Sequence, residues 1–218
     1  MTMSDDQLAV QLVCFDIGGV LIRIVDDWHD AFRLAGLNLP DAAGNGDGEA
    51  AFRAAARAYE TGRIDDAAFL AAMTQRLGGL TTDQARAIMS SWLIEPFEGV
   101  AQVIELVNAT TAVTACLSNT NLLHWRQMEA DARYGPMLRK LDQHFTSFDM
   151  GARKPEPAIY EQVEQVMGLP GQRILFFDDL EKNVAAARGR GWRAERIDPR
   201  GDPAAQMRRC LVELGVVR

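Results

Sequence analysis

Cysteine and lysine are both scarce, with three of each in 218 residues. An odd handful of cysteines makes no disulfide framework, and the absence of a CxxC pair or Cys/His cluster removes the usual zinc sites. Cys14 and Cys116 sit in apolar runs and Cys210 in the last helical pattern, so reduced core thiols are expected. No apolar run approaches the ~20 residues that cross a bilayer. Met1–Gln7 carries two aspartates and no basic stretch, unlike a signal peptide, so the expected compartment is the cytoplasm. Positive charge is also short: 30 acidic against 23 basic residues give a net charge of −7. That field repels polyanions and speaks against nucleic acid or a membrane surface as partner, so any phosphate must be caught by local chemistry.

What is present is ordinary for a globular chain, with 48% hydrophobic and 24% charged residues. Short apolar runs rich in β-branched and aromatic residues predict strands at Gln11–Ile17, Thr111–Leu117, Phe145–Phe148, Arg173–Phe177 and Trp192–Ile197. Helical patterns follow at Leu122–Arg133, Glu156–Met167, Leu180–Arg188 and Ala204–Leu214, and Val100–Val107 leads into the second strand. Strands alternating with helices give an α/β class with a doubly wound, Rossmann-like parallel sheet.

The first and second strands are separated by a long segment that reads as several helices and no strand. Ala50–Tyr59, Asp65–Leu77 and Thr81–Trp92 have helical periodicity, with Asp65 and Thr81 as N-caps. The expected organisation is a core of residues 1–21 and 96–218 with a small helical cap, 22–95, inserted after the first strand. Asp41–Glu49 reads as a mobile linker; its partial likeness to a calcium loop fails because Ala43 and Ala54 occupy the first and twelfth ligand positions.

In an open parallel sheet, ligands gather beyond the carboxyl ends of the strands, where strand order reverses. Four such segments carry chemistry. The first strand ends in Asp16-Ile17-Gly18-Gly19, a carboxylate followed by glycines that let backbone N–H groups crowd an anion. The second ends in Ser118-Asn119-Thr120-Asn121, just before a helix N-terminus. Arg153-Lys154-Pro155-Glu156-Pro157 places a rare lysine in chain held extended by proline. Asp178-Asp179 closes a very apolar strand, and adjacent buried carboxylates repel unless a cation joins them. Each segment alone also fits a strand-end turn, a helix cap or a solvated charge; together, in this order, they are more specific.

The set resembles the four motifs of the haloacid dehalogenase superfamily over nearly the whole chain. Ser118-Asn119-Thr120-Asn121 with His124, followed by Arg153-Lys154-Pro155-Glu156, is similar to the subgroup of bacterial α-D-glucose-1-phosphate phosphatase and the phosphatase domain of epoxide hydrolases. The resemblance implies a Mg²⁺-dependent phosphatase acting on a small phosphorylated metabolite, preferably a sugar phosphate. Asp16 is then the nucleophile. Mg²⁺ is held by Asp16, Asp179, the carbonyl of Gly18, and Asp178 directly or through water. Ser118, Asn119, Gly18 and Gly19 cradle phosphate, and Lys154 neutralises charge on nucleophile and phosphate.

Gly18 departs from the pattern, since most phosphatases of the superfamily carry there a second aspartate that serves as general acid and base. Such catalysis is worth ~10²–10⁴ in rate. An acidic leaving group, a proton from water or His124, or loss of turnover with retained phospholigand binding would each accommodate the change. A 2-haloacid dehalogenase would also use Asp16 but needs no metal, which leaves Asp178–Asp179 unexplained. A phosphonate-cleaving relative requires a cap lysine, and no lysine precedes Lys140.

Overall fold

The computed structural model describes residues 9–38 and 49–218. The stretch read as a linker from Asp41 therefore lies outside the described residues, apart from Glu49, which begins a helix. Leu12–Phe15 forms β1, and a short ribbon strand, β2 (Ile22–Ile24), follows. Helices α1 (Trp28–Leu34), α2 (Glu49–Glu60), α3 (Asp66–Leu77) and α4 (Thr82–Ser90) precede β3 (Leu93–Pro96). Next come α5 (Val100–Asn108), β4 (Val113–Ser118), α6 (Leu122–Ala130), the single turn α7 (Gly135–Leu138) and β5 (Gln143–Thr146). The chain closes with α8 (Ser147–Met150), α9 (Pro157–Met167), β6 (Ile174–Asp178), α10 (Glu181–Gly189), β7 (Arg193–Arg196) and α11 (Pro203–Glu213).

Five strands form one parallel sheet in the order β5-β4-β1-β6-β7. The chain winds outward from β1 to β5, then returns to β6 on the other side, so strand order reverses beside β1. All four residues of β1 are fully buried, as a strand covered on both faces requires. Val13, Phe15, Cys116, Leu175 and Phe177 pack one face against α5 and α11; Leu12, Cys14, Ala115, Leu117 and Phe176 pack the other against α9 and α10. The three cysteines are unpaired, and burial pushes the Cys116 thiol up to about 12, so these are inert core thiols.

The helical insert has its own apolar cluster, built on Phe32, Tyr59, Phe69, Leu70, Met73 and Ile88. Asp65 caps α3 by accepting from Ala68 N–H at 2.8 Å, and Thr81 with Gln84 makes a full capping box on α4. The expectation of no strand in this segment is corrected: β2 and β3 pair antiparallel and form the way in and out of it. Both are too short for a period of two to register, and they pair as strands only with each other, across the whole insert. Phe145–Phe148 is likewise shifted: β5 ends at Thr146, and Ser147–Met150 turns into a helix. No helix among the described residues is long and apolar enough to cross a membrane.

Replacing Thr81 with Ala removes one half of the capping box and should lower unfolding free energy by about 1 kcal/mol. Urea denaturation followed by circular dichroism measures this, as a lower midpoint at unchanged slope.

Candidate active site

Strand register builds the site. Phe15 lies opposite Phe177, so the next residues, Asp16 and Asp178, emerge side by side at the carboxyl end of the sheet, with Asp16 N–H donating to the Phe177 carbonyl at 2.8 Å. Cys116 is the other partner of Phe15, which brings Ser118 to the same edge. Beyond Asp16 the chain makes one tight turn: Leu21 and Ile22 N–H both donate to the Ile17 carbonyl, at 2.9 and 2.8 Å. Gly19 within it has φ +78°, and a Cβ there would lie 2.7 Å from Asp179 Cγ, so only glycine lets the turn approach that carboxylate.

Lys154, 1% exposed, reaches the same point from the segment before α9. Its Nζ lies 2.9 Å from Asp16 Oδ1 and 2.7 Å from Asp178 Oδ2, over the Phe176 ring. Two asparagines position these groups. Asn119 clamps the Lys154 backbone, accepting from its N–H at 2.8 Å and donating to its carbonyl at 2.9 Å. Asn183 donates to both oxygens of Asp178, whose Oδ1 also accepts from Leu180 N–H. Asp16 Oδ1 accepts from Ile17 N–H at 2.7 Å, while Oδ2 has no hydrogen-bond partner among the described residues.

Asp16, Asp178 and Asp179 each offer a carboxylate oxygen within 4.8 Å of the others. Burial first, and the charges of Asp178 and Asp179 in addition, push the Asp16 carboxyl up to about 8 against the pull of Lys154. Burial and the Asp178 charge also raise Asp179. For Lys154, burial works against its charge, but Asp16 and Asp178 outweigh it and hold the ammonium protonated. One ammonium against three carboxylates leaves a buried surplus of negative charge, the condition under which a hard divalent cation with oxygen ligands fits.

The expected site residues Asp16, Gly18, Gly19, Ser118, Asn119, Lys154, Asp178 and Asp179 thus gather at one edge of the sheet. A cavity of about 200 Å³ opens between that edge and the helical insert, with Gly18, Ser118 and Asn119 on its floor. Trp28 and Tyr59 of the insert line it, whereas His29 and Arg63 are exposed and do not. A larger open groove of about 930 Å³ lies by Arg23, Phe97 and α11, and none of the site's carboxylates lines it.

His124 lines the small cavity but has no free nitrogen. Its Nε2 donates to the Met89 carbonyl at 2.8 Å, leaving Nδ1 to accept from Asn121 Nδ2 at 3.2 Å. The ring joins α6 to α4 instead of offering a proton to a leaving group. Sequence reading also passed over Ser147, whose Oγ accepts from Thr120 N–H and lies 2.6 Å from the Glu60 carbonyl, and the ion pair of Glu60 with Arg153 at 2.9 Å. Only the adjacency of Arg153 to Lys154 hinted at the latter.

Fold and site define a doubly wound α/β protein that gathers acidic side chains and one lysine at its topological switch point. The family model of haloacid dehalogenase-like hydrolases matches residues 10–191, and the chain belongs to that family. Phosphatase MT3486 of Mycobacterium tuberculosis is 25% identical over 215 residues, 96% of this chain and 97% of its own. Among solved structures, a predicted haloacid dehalogenase-like hydrolase from Porphyromonas gingivalis superposes with a TM-score of 0.75 at 24% identity, covering 93% of this chain and 98% of that one. The magnesium complex of a haloacid dehalogenase family enzyme, bt-2542 of Bacteroides thetaiotaomicron, gives 0.74 at 22% identity, covering 92% and 99%. The same enzyme bound to magnesium and inorganic phosphate gives 0.68 at 20%, covering 87% and 94%.

Burial lowers the His124 pKa below the ordinary imidazole value, so the unfolded chain binds the proton more readily than the native one. Its contribution to stability is complete above ~6.5 and falls as pH drops from there toward the native pKa. His124→Gln, which can still donate to Met89, should lose less stability than wild type between pH 7 and pH 5.5 in urea titrations. Equal losses would show that another group governs the acid side.

Proposed function

We propose that the chain is a Mg²⁺-dependent phosphatase of a small phosphorylated metabolite, working through an aspartyl-phosphate on Asp16. The observation that carries this reading is the buried surplus of carboxylate held around one ammonium. A dianionic phosphate cannot approach such a site without added positive charge, and a site so built has no use for three acids unless a cation joins them. The metal and phosphate bound by the Bacteroides enzyme, and the activity named for the Mycobacterium relative, support the same reading.

In this proposal Asp16 attacks phosphorus, the ester oxygen departs with the bonding pair, and water then hydrolyses the acyl phosphate to release inorganic phosphate and restore Asp16. Lys154 favours the ionised form of Asp16, with the metal's charge needed to complete that effect, and balances charge on the phosphoryl group. Ser118 and the backbone N–H groups of Asn119, Gly18 and Gly19 hold phosphoryl oxygens in fixed positions, so little reorganisation accompanies the transition state. Magnesium, held by Asp16, Asp179 and the Gly18 carbonyl, with Asp178 direct or through water, supplies the charge that lets an anion meet a carboxylate. Residues 22–95 act as a cap whose closure completes the pocket and keeps bulk water out while the ester is cleaved, a single water then reaching the acyl phosphate. The sequence resemblance by itself favours a sugar phosphate as substrate.

Gly18 motivates a second reading, a phospholigand-binding protein of the same fold without turnover. A metabolite panel separates the two: phosphate release from at least one member, abolished by chelation and restored by Mg²⁺, is expected of the enzyme. Asp16→Asn should cut that rate on the order of 10³-fold or more. Retained activity in this variant would exclude the acyl-phosphate route. Binding of beryllium fluoride with Mg²⁺, raising the melting temperature, without release from any substrate would favour the binding protein.

A further inference from the structure

The walls of the cavity differ in kind from its floor. Trp92, Trp28, Phe52, Phe69 and Tyr59 form a connected chain of rings, with successive centroids 4.9, 5.9, 5.9 and 4.4 Å apart. Ile24, Met89, Leu93 and Met128 complete the apolar lining. Several polar side chains in the same walls are already engaged within the protein. Tyr59 Oη donates to Asp66 at 2.7 Å, Asn119 clamps Lys154, and Asn121 and His124 bond each other. His124 is also bonded to Met89, and Glu60 is paired with Arg153. A sugar brings several hydroxyls that must each exchange water for a protein partner, and groups so engaged offer few.

The second observation lies at Gly18. The three atoms nearest a Cβ there would all belong to the Ile24 side chain, the closest 3.2 Å away. With glycine at this position no carboxyl stands there to protonate a leaving oxygen, the hydrocarbon of Ile24 lies beside it, and both ring nitrogens of His124, the other candidate, are bonded within the protein. A leaving group that must be protonated in flight is poorly served. A phenol, acidic near ~10 as tyrosine is, departs as its anion far more readily than an alkyl alcohol, whose acidity is close to water's ~15.7.

Resting on the phosphatase reading, we infer that the substrate is a small aryl phosphate, a monoester whose ring enters the aromatic cavity and leaves as a phenolate. Size agrees: an apolar cavity of ~150 Å³ takes a benzene ring, and this one measures about 200 Å³. Tilted and stacked rings at 4.5–7 Å are the geometry in which aromatic groups attract one another beyond simple burial. In the first step the Asp16–phosphorus bond forms as the phosphorus–oxygen bond to the ring breaks, its electron pair staying on the phenolate. Water then attacks phosphorus as the bond to the Asp16 oxygen breaks and restores the carboxylate; one proton of that water passes to the phenolate and its hydroxyl stays on phosphorus, so the products are the phenol and inorganic phosphate.

Two non-hydrolysable probes isolate the walls from the chemistry. With Mg²⁺ present, phenylphosphonate should inhibit acetyl phosphate hydrolysis, or raise the melting temperature, at concentrations at least tenfold below methylphosphonate. Glucose 1-phosphate should compete more weakly than phenyl phosphate. Trp28→Ala, with its fold checked by circular dichroism, should narrow the ratio between the phosphonates; if it fails to fold, Phe52→Leu replaces it. Equal affinities for the two phosphonates, or tighter binding of glucose 1-phosphate, would overturn the aryl assignment while leaving the phosphatase intact. Absence of acetyl phosphate turnover would instead strike the proposed function, and the melting shifts would still report on the cavity.

Discussion

The ammonium of Lys154, sealed between Asp16 and Asp178, is the interaction on which the site depends. Removing a charge of this kind from water costs several kcal/mol, and only close, well-oriented partners repay it. Hence the supporting bonds are built as rigidly as the ion pairs themselves. Asn119 holds the lysine's backbone from β4, Asn183 holds Asp178 from α10, and parallel register holds Asp16 beside Asp178. Asp16 and Asp178 meet the charge itself, and Asn119 and Asn183 fix the lysine backbone and Asp178 around it.

That arrangement leaves the cluster short of positive charge, and the shortage connects structure to chemistry. Asp16 is driven toward protonation by its surroundings, although a carboxylate nucleophile has to be ionised. In the proposed function a bound cation would resolve the conflict and ready the same oxygens for an anion. Gly19, with no side chain to obstruct Asp179, lets backbone donors and acidic oxygens share one small volume. Opposite them, the insert contributes rings and hydrocarbon, so the cavity between has Gly18, Ser118 and Asn119 on one side and apolar surface on the other.

The parallel sheet was legible because its strands are buried on both faces and read as short continuous apolar runs. Cap residues such as Asp65 and Thr81 marked helix starts through chemistry that is local to a few residues. The ribbon of β2 and β3 was not legible, because Ile22–Ile24 and Leu93–Pro96 define a strand only by pairing with each other across the whole insert. His124 misled for the same reason: its distance from Asn121 is visible in sequence, whereas its bond to Met89 joins two helices 35 residues apart.

Sequence by itself determined the alternation of strand and helix, the four strand-end segments and the residues bearing charge within them, since these follow from local pattern and residue type. Tertiary structure alone decided that Lys154 faces two carboxylates, that Asn119 serves it, that Gly18 borders Ile24, and that the space above Ser118 and Asn119 is walled by aromatic rings. Those are relations between residues distant in the chain, set by strand register and by how an insert seats on a sheet edge, and no local pattern encodes them.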